Sequence, residues 1–186
     1  MDGVLAYKKI SMKDGPEVTL EQMLQAREKR VTEQQLLLAT HQKPIVSLTL
    51  VIPGSIKSAS GARFLFDHAL KAFTDCYAEA SWPLLVREVL CAATGLEAIL
   101  VLDAEAKDLK LATVKLEDEH PLGRLWDFDV ICPEQGQLSR SMINVAPRRC
   151  LLCNEAAHAC ARSRRHSIDE LLMTIEHKIN MYMHLN

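Results

Sequence analysis

Apolar residues recur along this chain at two intervals, and the switching between them lays out its elements. Leu20, Met23, Leu24, Val31 and Leu38 fall mostly on one helical face, and Thr19-x-x-Gln22 has capping-box spacing, so a helix is expected over residues 20–39. Its middle, Arg27-Glu28-Lys29-Arg30, is charged throughout and reads as a solvated face. Residues 45–52 are a short apolar run rich in β-branched side chains, which suits a buried strand stopped by Pro53-Gly54. Residues 55–58 lead into a helix in which Leu65, Ala69, Ala72, Phe73 and Cys76 repeat at helical spacing. Strands are expected over 84–90 and 98–102, separated by Ala93-Thr94-Gly95. Leu109, Ala112 and Leu116 suit a helix over 105–117, a reading preferred over the partial alternation of Leu109, Leu111, Val114 and Leu116. Leu125, Trp126, Phe128, Val130 and Ile131 make a strand that ends at Pro133-Glu134-Gln135-Gly136. Ser167-x-x-Glu170 caps a last helix whose Leu171, Leu172, Ile175, Ile179 and Tyr182 form a packing stripe. Helices and strands joined by short connections imply a single α/β or α+β domain on a mostly mixed sheet, with a helical tail from about Pro147.

Composition narrows the class. With 186 residues, 48% of them hydrophobic, the chain can bury one core, or one domain with an extension. A net charge of −2 supplies no global basic field, which argues against long nucleic acid as a partner and leaves room for local basic clusters. The apolar runs are too short to cross a bilayer and residues 1–16 lack the apolar core of a signal peptide, so a cytoplasmic protein with no membrane partner is expected. Six cysteines, three of them crowded into one segment, read as free thiols or a metal site and not as a secreted disulfide framework.

The chemistry concentrates in two places. Asp127 and Asp129 sit one residue apart in an apolar strand, so their carboxylates share a face, about 6–7 Å apart along it. Two such charges on a covered surface call for a cation, and a hard divalent ion such as magnesium carrying a substrate phosphate meets that need, with a bare solvated strand end as the alternative. Arg124, three residues upstream, can grip phosphate oxygens with its planar guanidinium. His120 is a candidate general base or phosphate donor, with an incidental exposed loop histidine before a proline as the alternative, and Glu117, Asp118 and Glu119 offer a third carboxylate or simply a charged helix end. The turn after the 45–52 strand, with Lys57 and Arg63 nearby, can hold phosphate through backbone N–H groups or can be an ordinary connection. The second place is the tail. Cys150-x-x-Cys153, Cys160 and either His158 or His166 have the ligand types of a structural zinc site, with reduced thiols as the alternative, and the surrounding arginines, Arg148 and Arg149 among them, suit an anion.

Several separate motifs then carry a resemblance. They are Arg27-Glu28-Lys29-Arg30; Val51-Ile52-Pro53-Gly54-Ser55-Ile56-Lys57; Asp108-Leu109-Lys110-Leu111-Ala112-Thr113; the stretch from His120-Pro121-Leu122-Gly123-Arg124 through Leu125-Trp126-Asp127-Phe128-Asp129-Val130; and Pro147-Arg148-Arg149-Cys150-Leu151-Leu152-Cys153 with Cys160-Ala161-Arg162. On these the chain resembles the citrate lyase holo-acyl-carrier-protein synthases, also called apo-citrate lyase phosphoribosyl-dephospho-CoA transferases. The resemblance runs from about Leu20 to the last helix and implies a transferase domain over residues 18–186, with 1–17 as a variable N-terminal segment; Ser55 stands where the family is expected to carry proline. The resemblance implies a nucleotidyltransferase-like domain that moves the prosthetic group from 2′-(5″-triphosphoribosyl)-3′-dephospho-CoA to a serine of the citrate lyase acyl carrier subunit, with release of diphosphate. It implies that Asp127 and Asp129 hold Mg2+, that Arg124 stabilises the departing diphosphate, and that Lys57, Arg63, Arg148 and Arg149 contact phosphates of the donor. A nucleotidyltransferase using a common nucleoside triphosphate, or a non-enzymatic adaptor with a Cys/Arg-rich binding tail, would share many of these residues.

Overall fold

The computed structural model describes residues 10–185. Helix α1 (Leu20–His41) opens on the box expected of it: Thr19 Oγ1 accepts the Gln22 N–H, and the Gln22 side chain accepts the Thr19 N–H at 2.8 Å. There follow β1 (Ile45–Leu50), α2 (Ser60–Glu79), β2 (Leu84–Ala92), β3 (Gly95–Leu102), α3 (Ala106–Glu119), β4 (Trp126–Cys132), β5 (Gly136–Leu138), α4 (Ala157–Ser163) and α5 (Ile168–Leu185). The five strands form one sheet in the order β2-β3-β1-β4-β5, and every neighbouring pair is antiparallel. Of the two classes the sequence leaves open, this is α+β. β5 starts at the last residue of the expected turn over 133–136 and is not anticipated from the sequence, since its three residues are too few to show an alternation.

The two faces of the sheet have separate jobs. Val46 and Leu48 of β1, Leu100 of β3, and Trp126, Phe128 and Val130 of β4 pack with Phe66 and Phe73 of α2 and Ile175 and Ile179 of α5 in the main core. Phe66, Phe73 and Phe128 are fully buried, each worth about 1.5–3 kcal/mol relative to exposure. On the opposite face, Ile45, Ile99 and Val101 meet Leu37 of α1 in a second, smaller cluster. Only the end of the apolar stripe expected of α1 seats the helix, where Leu38 packs against this second cluster. Leu20, Leu24 and Val31 are 76%, 49% and 48% exposed, and Leu37 makes the buried contact, because the first half of the helix stands beside a cavity instead of on the sheet.

The tail is helical from Ala157 onwards. Ahead of it residues 147–156 double back as a knuckle, with Arg149 bridged to Ala156 and the Cys150 N–H donating to the Glu155 carbonyl at 2.7 Å. Residues 10–17 belong to the same body: Met12 is fully buried and its N–H donates to Glu176 Oε1 at 2.7 Å. Residues 1–9, part of the segment read for a signal sequence, lie outside the described residues. No described helix is long and apolar enough to cross a membrane.

Candidate active site

A cavity of about 930 Å³ opens at one end of the sheet, at the upper limit for small-molecule sites and roomy enough for an extended nucleotide-like ligand. Arg27 and Arg30 of α1 wall one side, the loop after β1 with Lys57 another, the β2–β3 turn with Glu97 a third, and Arg124, Asp127 and the tail with His158, Arg164 and His166 close it. Gly54, at φ +82°, makes the sharp turn that carries the chain from β1 to Lys57.

Period-two alternation puts both aspartates on the α1 face: Asp127 pairs in register with Thr49, and Asp129 with Ser47. Asp127 lines the cavity. Asp129 lies further along the strand, where its Oδ1 accepts a 2.6 Å hydrogen bond from Gln137. Burial, and then the charge of Asp127, push the Asp129 carboxyl above the usual range, while Gln137, Lys110 and Arg148 pull the other way.

The cavity is predominantly cationic. Glu97 is neutralised by Arg30 at 2.6 Å. Among the described residues, no carboxylate forms an ion pair with Arg27, Lys57, Arg124 or Arg164. Burial, and then the charge of Arg27, hold the Lys57 amine below its ordinary range, and its Nζ donates to the Ile52 carbonyl. Arg124 is likewise depressed by burial and by Arg148, and its Nε donates to the Arg149 carbonyl at 2.7 Å. Cations kept in this state gain from an anion placed among them. The run Arg27-Glu28-Lys29-Arg30 is therefore not simply a solvated face: Glu28 and Lys29 point to solvent, while Arg27 and Arg30 line the cavity.

A buried network fixes the aspartate strand from its outer side. Glu117, 3% exposed, accepts the Phe128 N–H, and Lys110 Nζ donates to the Phe128 carbonyl at 3.2 Å. Arg140 meets Glu117 Oε2 at 2.7 Å. Arg148 pairs with Glu117 Oε1, donates to the Trp126 carbonyl at 2.8 Å and reaches Asp127 Oδ1 at 3.1 Å. Glu117 is thus committed to two arginines and a backbone amide, and is no third metal carboxylate. The signal in the sequence for Lys110 and Glu117 is their place on the face of α3 that also carries Leu109, Thr113 and Val114, which marks them as polar groups in core positions.

Of the expected site residues, Lys57, Arg124 and Asp127 line the cavity, while Asp129, Arg148 and Arg149 stand behind its wall and His120 and Arg63 lie apart from it. His120 stacks on Trp126 with centroids 4.3 Å apart and lies 5.5 Å from the Tyr182 ring, among core-side groups. Its Nδ1 accepts the Leu122 N–H at 3.1 Å, and burial, then His68, hold the imidazole below its ordinary value. Arg63 is exposed and borders a separate, shallow depression near Asp14 and Cys91. Arg148 and Arg149 act through others, one on Asp127 and the other through the carbonyl that receives Arg124.

The tail cysteines do converge. Cys150, Cys153, Cys160 and His166 place their ligand atoms within 4.8 Å of one another, and His158, the alternative fourth residue, is outside the group. Burial raises the Cys150 thiol, but the N–H groups of Leu152 and Cys153 together with the Cys160 and Cys153 thiols outweigh it and hold the thiol below its ordinary range.

Known proteins agree with the motifs. The family described as apo-citrate lyase phosphoribosyl-dephospho-CoA transferase matches residues 18–182. A protein of that name from Citrobacter koseri is 42% identical over 159 residues, covering 86% of this chain and 87% of the relative. Relatives of the same name from Escherichia coli strain SMS-3-5 and from Shigella boydii serotype 18 are each 42% identical over 163 residues, covering 88% of this chain and 89% of the relative. The chain belongs to the apo-citrate lyase phosphoribosyl-dephospho-CoA transferase family.

Proposed function

We propose that this protein transfers the phosphoribosyl-dephospho-CoA group onto apo-citrate lyase, with 2′-(5″-triphosphoribosyl)-3′-dephospho-CoA as donor and a serine of the acyl carrier subunit as acceptor. The observation that carries the reading is the convergence of Asp127 with Arg27, Lys57 and Arg124, cations without carboxylate partners among the described residues, on one large cavity. In the nucleotidyltransferase-type reaction the serine oxygen attacks the α-phosphorus, a phosphodiester forms, the bond to diphosphate breaks and the serine proton is released.

The chain's residues divide the work. Lys57 and Arg27 bind donor phosphates, and Arg124 holds the departing diphosphate, its orientation set by the Arg149 carbonyl. Arg148 positions Asp127. Asp127 and Asp129 fit a hard divalent ion, since they are two carboxylates on one face and burial together with like charge disfavours ionisation of the second. Magnesium bound there would neutralise charge on the triphosphate and align it for in-line displacement. Arg63 and His120 have no part in this reading. Six free cysteines support a cytoplasmic setting.

The test incubates the protein with magnesium, the triphosphoribosyl donor and the apo carrier subunit, and weighs the carrier by intact-mass spectrometry. A gain equal to the phosphoribosyl-dephospho-CoA group, lost with EDTA and not replaced by an ATP-derived adduct, is expected. An unchanged carrier would sink the reading.

A further inference from the structure

Between Leu138 and Leu172, Cys160 is the one described side chain that is buried. A stretch so poor in apolar anchors does not recover its ordering entropy from a core, and small units of this kind are held by disulfides or metals. Helix α4 does not help, since its seven residues are too few to be stable alone and its N-terminus has no side-chain cap. Yet the stretch folds back to wall the cavity, and three of its pieces meet: the knuckle with Cys150 and Cys153, α4 with Cys160, and the link to α5 with His166.

The distances identify the kind of staple. Cys153 Sγ lies 3.5 Å from Cys160 Sγ and 3.4 Å from His166 Nε2. A disulfide would hold the sulfurs at about 2.05 Å. Tetrahedral zinc, with bonds of about 2.3 Å to sulfur and about 2.0 Å to nitrogen, spaces its ligands about 3.5–3.8 Å apart. These two separations are close to those edges, and all four ligand atoms lie within 4.8 Å of one another. His166 is placed by the box that follows it, in which Ser167 N–H donates to Glu170 Oε2 at 2.8 Å and Glu170 N–H donates to Ser167 Oγ.

We propose that Cys150, Cys153, Cys160 and His166 bind one zinc ion, which anchors the tail against the cavity. Three thiols lose their protons on binding and the imidazole is neutral, so the site carries three thiolates. Four protein ligands leave no open position, which makes the ion structural and not catalytic. It holds Arg149, whose carbonyl receives Arg124, next to one ligand, and Arg164 between two others.

Protein purified without chelator and desalted is expected to contain about one equivalent of zinc per chain. Less than about a tenth of an equivalent, where a structural site should be nearly full, would overturn the proposal, as would a Cys153–Cys160 disulfide found by peptide mass spectrometry. Cobalt(II) exchanged into the full chain should show the intense d–d and thiolate charge-transfer absorption of a tetrahedral sulfur-ligated ion; a weak octahedral spectrum contradicts it. His166→Ala should lose that spectrum and His158→Ala keep it, and the reverse pattern removes His166 from the site. Should Cys153→Ser fail to fold, zinc content and the cobalt spectrum of the wild-type protein still decide. None of these readouts requires transfer activity, so failure here and failure of the transferase reading are separable.

Discussion

Glu117 accepts the Phe128 backbone N–H at 2.8 Å, and a helix side chain thereby takes the place of a strand beside β4. β5 pairs with Val130, Ile131 and Cys132 and goes no further. Beyond it the edge of β4 would present buried, unpaired backbone groups, which Glu117 and Lys110 satisfy from α3. The same carboxylate carries Arg148 to Asp127, so the closure of the sheet edge and the placement of the cavity carboxylate are one arrangement.

Glu117→Ala should therefore cost about 3–5 kcal/mol, because it leaves the Phe128 N–H without its acceptor and Arg140 and Arg148 without their shared buried counter-charge. Glu117→Gln retains an acceptor for Phe128 and should lose less. Urea denaturation of the two variants measures this, and a loss under about 1 kcal/mol for the alanine would mean the network behaves like a surface ion pair.

Asp129→Asn should abolish transfer without lowering thermal stability at neutral pH. The Asp129 carboxyl is raised above its ordinary 3.8 in the folded protein. A raised group stabilises the fold below its unfolded pKa and loses that contribution as pH rises through the folded value, so at neutral pH the ionised Asp129 is a burden. The amide removes the burden and can still accept from Gln137. Thermal melts without metal, paired with the carrier-mass assay, check both halves; a marked drop in melting temperature would make Asp129 a structural residue.

Much of this was legible beforehand, for identifiable reasons. Short, strongly patterned elements show themselves: the Thr19 box, the β1 run before Pro53-Gly54, and the Asp127/Asp129 alternation depend on neighbours in sequence. What was hidden depends on partners far along the chain. The exposure of Leu20 and Leu24 follows from where α1 crosses the sheet, and a cationic run reads as solvated until a cavity is known to lie under half of it. His120 lies beside the aspartates in sequence but on the other side of β4 in space, because the turn at Gly123–Leu125 separates it from the strand that carries them. The choice of His166 over His158 was likewise a question of which residue the α4–α5 link returns to the knuckle.

Gly123→Ala should be disruptive out of proportion to its size. A Cβ there would sit 2.1 Å from the Leu116 carbonyl and 2.8 Å from that of Glu117, backbone atoms that cannot swing aside. The turn would have to lift off α3 and take Arg124 with it. A loss of about 1–3 kcal/mol, with transfer reduced beyond what the unfolded fraction explains, is expected. Gly136→Ala is the comparison: its φ of +69° disfavours alanine by about 1–2 kcal/mol, but a Cβ there meets nothing and no cavity residue moves. Equal transfer in the folded fractions of both variants would show that the α3 contact does not set Arg124.

The acid limb of stability should trace to His120. Burial first, and His68 second, depress its imidazole below the ordinary 6.5, so the folded protein holds it neutral, stacked on Trp126 and accepting the Leu122 N–H. For a depressed base the contribution to stability is complete above pH 6.5, falls as the unfolded chain takes up the proton first, and is lost as pH drops through the folded value. His120→Asn keeps an acceptor for Leu122 but no titrating group. It should be less stable at neutral pH for want of the stacking contact, and its stability should fall less steeply on acidification from pH 6.5. Urea titrations across that range measure the slope, and an unchanged slope would assign the acid limb elsewhere. The carrier-mass assay on the folded variant adds a second decision. Because the ring stacks on the core side of β4, away from the cavity, transfer above pH 6.5 should persist, whereas its collapse in a well-folded variant would return His120 to the chemistry.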